Sequence, residues 1–144
     1  MTEVMFHLNV PDRLAYACRL LRKAHASGAR VVVSGPAEEL ARLDTMLWAF
    51  DPTTFVPHLR LAAGAEVPTR LRETPIWLVE DGIERAPHHE ALVNLGDDLV
   101  PGFESFEKVI ELVPTDDDLK QAARRRWKHY AERGYRPGRH EVRS

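Results

Sequence analysis

Arg30-Val31-Val32-Val33-Ser34-Gly35-Pro36-Ala37-Glu38-Glu39-Leu40 is the stretch that decides the fold. Three adjacent β-branched residues form a short apolar run, typical of a strand buried on both faces in a parallel sheet. Pro36 then opens a helix, with Glu38 and Glu39 in its first turn and Leu40, Leu43 and Leu47 on one face. Upstream, Glu3 to Val10 puts Val4, Phe6, Leu8 and Val10 at alternate positions and predicts a strand. Pro11 suits the first turn of a following helix, where Leu14, Ala17, Cys18, Leu21 and Ala24 keep helical spacing until Ser27-Gly28. Strand, helix, strand, helix at this spacing is a parallel βαβ unit.

Downstream, residues 51–75 hold four of the ten prolines and read as irregular, with one short strand at Phe55 to His58. Pro75 to Val79, Ala91 to Leu95 and Glu107 to Val113 read as strands, and Glu80 to Glu90 as a loop. A long helix follows Thr115. The expected class is α/β: one domain over residues 1–134, a mostly parallel sheet flanked by helices, and a polar, frayed tail over 135–144. Such a tail predicts that Arg139→Ala changes little. Length supports one domain, and 44% hydrophobic with 29% charged residues is the balance of an ordinary globule. The single cysteine, Cys18, excludes a disulfide within the chain and points to a reducing, cytoplasmic setting. No apolar run approaches the ~18 residues of a membrane span.

The βαβ opening invites a nucleotide-binding reading, but the residues reject it. Asn9-Val10-Pro11-Asp12 follows the first strand without a glycine, and Ser34-Gly35-Pro36 supplies only one after the second. Without a glycine loop and its Lys, a pyrophosphate has no seat. His88-His89-Glu90 lacks a second ligand cluster at regular spacing, so no metal is expected. Asp97-Asp98 has no partner acid or base, and Ser34 is not in a nucleophile elbow. No catalytic set and no cofactor follow.

The chemistry that remains lies near the C-terminus. Residues 116–144 carry nine Lys/Arg against five Asp/Glu, a balance of +4, whereas residues 1–115 carry eleven against seventeen, a balance of −6. Thr115 reads as the N-cap of the last helix, the Asp run complements its positive end, and Gly134 stops it. At about 100° per residue, Leu119, Ala123 and Tyr130 share an apolar face and Lys120, Arg124 and Lys128 a basic one, with Trp127 at the seam. Most charge runs are simply solvated. Here, however, like charges four apart repel by a few tenths of a kcal/mol each, and an anionic partner would offset that. Trp48 and Phe55, beside prolines, read as core lids or as the apolar half of a peptide pocket, with core packing favoured when they are taken alone.

The order and spacing of several stretches resemble the chi subunits of bacterial DNA polymerase III over nearly the whole chain. They are Phe6-His7, Gly28 to Val33, Leu43-Asp44-x-x-Leu47-Trp48, Phe55-Val56-Pro57-His58, and Leu119-Lys120-Gln121-x-Ala123-Arg124-x-Arg126-Trp127-Lys128-x-Tyr130. The resemblance implies a non-catalytic adaptor with a nucleotide-binding-like topology but no phosphate loop. Its implied partners are the acidic C-terminal tail of single-stranded DNA-binding protein and the psi subunit of the clamp-loader complex, with single-stranded DNA met only indirectly. The family's tail site carries over to Lys120, Arg124, Trp127 and Lys128, with Val113, Trp48 and Phe55 as candidate walls. Tyr can stand in the family where this chain has Trp127, which keeps an aromatic platform. Gly64 to Glu73 matches least. Psi is expected on an apolar patch opposite the last helix.

In this reading Arg124 grips the terminal carboxylate of a peptide ending in Phe, because a guanidinium offers two parallel donors. Lys120 and Lys128 attract upstream acids, and the ring enters the pocket. Two other readings compete. Trp127 and Trp48 could serve as stacking platforms for single-stranded nucleic acid. The −6 balance of the rest of the chain opposes that, since a phosphate track needs an extended basic groove. The third reading is a small enzyme using His58 or His89, with no turnover expected.

Overall fold

The computed structural model describes residues 1–49, 55–80 and 82–142. Strand β1 (Glu3–Val10) leads into helix α1 (Arg13–Ala26), then β2 (Val31–Ser34), α2 (Ala37–Ala49), β3 (His58–Leu61), β4 (Ile76–Val79), β5 (Ala91–Asn94), β6 (Lys108–Pro114), α3 (Asp117–Glu132) and β7 (Gly138–Glu141). The seven strands form one sheet in the order β3-β4-β2-β5-β6-β1-β7, and every neighbouring pair is parallel.

Connection handedness sorts the rest of the chain onto the two faces of this sheet. Crossovers between parallel strands are right-handed, so the direction of travel across the sheet selects the face used. From β1 to β2 to β3 the chain moves one way and lays α1 and α2 on one face. From β3 onward it moves back, and the connecting loops and α3 cover the other face. The strands show the division residue by residue. Val31, Val33, Ile76, Leu78, Val93 and Leu112 pack with Ala17, Cys18, Leu21, Leu40 and Leu43 of the first two helices. Val32, Trp77, Val79, Leu92, Val109 and Val113 pack on the other side with Ala123 and Tyr130 of α3 and with Ile83 and Phe103 from the loops. The continuous apolar runs Val31–Val33 and Ile76–Val79 therefore feed two cores at once, which is why they lack polar alternation.

Three expectations need correction. The strand assigned to Phe55–His58 begins at His58 and runs to Leu61, pairing His58 with Ile76 and Leu61 with Val79. Pro57 has no N–H to give the ladder, so pairing starts after it. The N-cap of α3 is Asp116, not Thr115: Asp116 is extended (φ −64°, ψ 133°) and its Oδ1 accepts from the Leu119 N–H at 3.1 Å.

The third correction concerns the tail, which does not fray over its described length. Gly134 adopts φ +90°, Gly134 N–H donates to Ala131 O (3.1 Å) and Tyr135 N–H to Tyr130 O (3.0 Å), the paired bonds of a left-handed helix stop. The chain then reverses and adds β7 to the free edge of β1, with Phe6 opposite Arg139, His7 opposite His140 and Leu8 opposite Glu141. Val142 N–H donates to Leu8 O at 2.9 Å. Polarity argues against burial of side chains, but a backbone ladder asks only for N–H and C=O groups. An edge strand can therefore be polar throughout.

Candidate functional site

Helix α3 is anchored to the sheet by a buried polar cluster. Glu111 of β6 is fully buried. Its Oε1 accepts from Arg126 Nε (3.0 Å) and Asn94 Nδ2 (3.0 Å), and its Oε2 from Tyr130 Oη (2.7 Å). Arg126 Nη1 also donates to the Asp97 carbonyl at 2.6 Å. Burial pushes the Glu111 carboxyl above the usual carboxylate range, against the pull of the Arg126 guanidinium and the donors around it. Burial and the neighbouring Glu111 also raise the Tyr130 phenol. Arg126 is thus a structural cation. Of three consecutive arginines, it points inward while Arg124 and Arg125 are exposed.

One flank of α3 faces the β1–β7 edge and leaves an open pit of about 510 Å³. Phe6, Leu8 and Val113 form its apolar floor. Lys120, Ala123, Arg124 and Trp127 form the helix bank, and Asn9, Arg139 and Glu141 the strand bank. Trp127 is half-buried, with its ring 4.9 Å from that of Phe6 and tilted by 50°. The indole therefore seats one edge in the core and shows the other to the pit, as its seam position predicts. Asn9 has φ +59° where the β1–β6 register shifts, a bulge beside the cavity at a residue type that tolerates the left-handed region. Among the described residues, no carboxylate pairs with Lys120, Arg124 or Arg139. An apolar cavity rimmed by unpaired cations is suited to an apolar side chain carried on an anionic backbone.

The structure brings Lys120, Arg124, Trp127 and Val113 together and separates the other named residues from them. Lys128 lies outside the pit, 77% exposed, with Nζ 3.9 Å from Glu132 Oε1. Glu132, four residues on, thus gives Lys128 a carboxylate neighbour on its own helix. Trp48 and Phe55 are neither core lids nor walls of this pit. They adjoin β3, at the opposite edge of the sheet, 59% and 55% exposed, with ring centroids 5.1 Å apart. His58 packs against Trp48 at 5.0 Å and is bonded to Asp44 Oδ1 (2.9 Å) and Val56 O (2.7 Å). The residues missed are Phe6, Leu8, Asn9, Arg139 and Glu141. The alternation of β1 marks Phe6 and Leu8 as one face, but nothing in the polar tail announces a strand.

Residues 1–137 match the sequence model of the family described as DNA polymerase III chi subunit, HolC. The chain belongs to that family. Relatives named DNA polymerase III subunit chi include one from Pseudomonas aeruginosa, 35% identical and covering 94% of this chain and 93% of its own length. Another, from Haemophilus influenzae, is 33% identical, with 83% and 80% covered, and one from Escherichia coli is 29% identical, with 82% and 78% covered. Among solved structures, the C-terminal domain of the DEAD-box protein Dbp5 is similar with a TM-score of 0.60 at 11% identity, covering 98% of this chain and 90% of that one, a likeness of fold alone. Chi-family membership makes the chain a replication accessory subunit and fits a role without chemistry of its own. Among the described residues, no group of three or more His, Cys, Asp and Glu is arranged to hold a metal, and no helix is long and apolar enough to cross a membrane.

Proposed function

We propose that the pit between α3 and the β1–β7 edge captures the acidic C-terminal tail of single-stranded DNA-binding protein. The observation that carries this reading is the unpaired Arg124 beside the Trp127 indole at the mouth of an apolar cavity of about 510 Å³. The terminal aromatic ring enters between Trp127, Val113 and Phe6. Arg124 holds the terminal carboxylate through two parallel hydrogen bonds, and Lys120 attracts the acids upstream. Lys128 adds only long-range attraction. A modest contact of this type gives micromolar affinity, about −7 to −8 kcal/mol, and it falls as salt rises because exposed charges are screened within about 8 Å at physiological salt.

A subunit of an assembly also needs a docking face for its neighbours. The Trp48–Phe55 pair is the largest exposed aromatic contact among the described residues, and it lies at the far edge of the sheet from α3. We assign it to the psi subunit, which links the chain to the clamp loader. Direct capture of single-stranded nucleic acid is less well supported, because the carboxylate of Asp44 lies close to Trp48, bonded to the His58 ring that packs on it.

The test is a fluorescence titration in a Trp48→Phe background, which leaves Trp127 as the accessible reporter and Trp77 buried. An acidic peptide ending in Phe should quench or shift the emission with micromolar Kd, and Arg124→Ala should remove the response. If an oligonucleotide binds at physiological salt while the peptide does not, the reading fails.

A further inference from the structure

The strand bank of the pit comes from residues whose polarity alone suggests a loose tail. On β7, Arg139 and Glu141 are two apart and share the α3 face of the sheet, whereas His140 between them meets His7 on the other face, with ring centroids 5.3 Å apart. Arg139 stands opposite Phe6, whose ring touches Trp127, so Arg139 lies at the indole end of the cavity. Glu141 stands opposite Leu8, toward the C-terminal ends of the strands. Helix α3 returns antiparallel to the strands, so Lys120, seven residues before Trp127 and about 10 Å from it along the axis, lies toward that same end. The charge in the pit is therefore uneven. Lys120 shares its end with a carboxylate, while Arg124 and Arg139 occupy the rest with no acid among them.

Resting on the reading that the pit holds an acidic peptide tail, we propose that strand β7 is a working wall of the site. Arg139 is a second guanidinium that contacts the peptide across the cavity from Arg124. Glu141 is a repulsive element on the β7 side of the Leu8 end, so the acids drawn by Lys120 stay along the helix bank. The pit thus distinguishes the direction of the incoming chain as well as its charge. Arg139 acts at no cost in internal pairing, since no carboxylate among the described residues competes for it.

The experiment titrates the full chain with a free-acid acidic peptide ending in Phe, comparing Arg139→Ala, Arg139→Glu, Glu141→Gln, Arg136→Ala and Arg124→Ala. Arg139→Ala should weaken Kd about threefold to tenfold, the range of a charge-assisted contact at a partly exposed site, and should flatten the salt dependence. Arg139→Glu should weaken it further. Glu141→Gln should tighten binding about twofold or more, a gain that misfolding does not produce. Arg136→Ala, outside the pit, should match the wild type. If both Arg139 variants and Glu141→Gln stay within twofold of the wild type while Arg124→Ala abolishes binding, β7 is a passive wall and this inference is overturned, with the peptide site intact. If the wild type fails to bind, or Arg124→Ala binds as well as the wild type, the peptide site itself is lost and the inference falls with it.

Discussion

Arg124, Arg125 and Arg126 are identical in the sequence and different in the molecule. Successive residues on a helix point about 100° apart, so one rims the pit, one faces the small groove beside Asp97 and Asp98, and one enters the core against Glu111. Their energetics should diverge accordingly. Removing one partner of a buried ion pair strands the other charge, and Arg126→Ala should lower the unfolding free energy by about 3–5 kcal/mol. Arg125→Ala should stay within about 0.5 kcal/mol, as exposed substitutions do. Urea denaturation of the two variants measures the difference, and equal midpoints would remove the buried cluster as the anchor of α3. The sequence shows three cations in a row and even the helical phase that separates them. It does not show the carboxylate of Glu111, which lies fifteen residues away on a strand whose alternation reads as Val109, Ile110 and Leu112 around charges.

Strand β7 joins the terminal helix to the sheet edge, and its pairing with β1 sets His140 beside His7, which also meets Tyr16 of α1. His7 Nδ1 and the Tyr16 hydroxyl share a hydrogen bond, and the His7 and Tyr16 rings meet edge to face at 5.6 Å. Burial, then the neighbouring His140 and Lys108, lowers the His7 pKa to about 4 from 6.5. The unfolded chain therefore binds the proton more readily than the native one between those values. The stability due to neutral His7 is complete above about pH 6.5 and is lost as pH falls toward 4. Thermal melts of the wild type should show Tm falling across that window, and His7→Gln should flatten the fall relative to the wild type. An unchanged pH profile in His7→Gln would contradict this assignment. At this scale the sequence was most legible where apolar runs are long: β1, β2, α1, α2 and α3 all stand within a residue or two of where periodicity puts them. It failed at β3 and β7, two four-residue edge strands held by backbone ladders that leave little trace in side-chain pattern.

Across the whole molecule, the handedness of the crossovers leaves two surfaces at opposite edges of one parallel sheet. The cationic pit borders β1 and β7, and the exposed Trp48–Phe55 pair borders β3. An adaptor gains from this separation, because one partner can exchange while the other holds. Trp48→Ala with Phe55→Ala should abolish capture of the psi subunit in a pull-down and leave affinity for the acidic peptide within about twofold. Arg124→Ala should do the reverse. Loss of both activities in either variant would mean that the two surfaces are not independent. The resemblance placed Trp48 and Phe55 in the same pocket as Arg124 because motif order carries no information about which sheet edge a residue reaches. Only strand order supplies that.

Capture of the peptide depends on Arg124 holding a free carboxylate at the pit. It is tested most directly by titrating wild type and Arg124→Ala with one acidic Phe-terminated peptide in free-acid and C-terminally amidated forms. Amidation should weaken binding to the wild type by tenfold or more, about 1.4 kcal/mol or greater, and Arg124→Ala should bind neither form at concentrations that saturate the wild type. Equal affinities of the wild type for the two peptides would mean that Arg124 does not hold the terminal carboxylate.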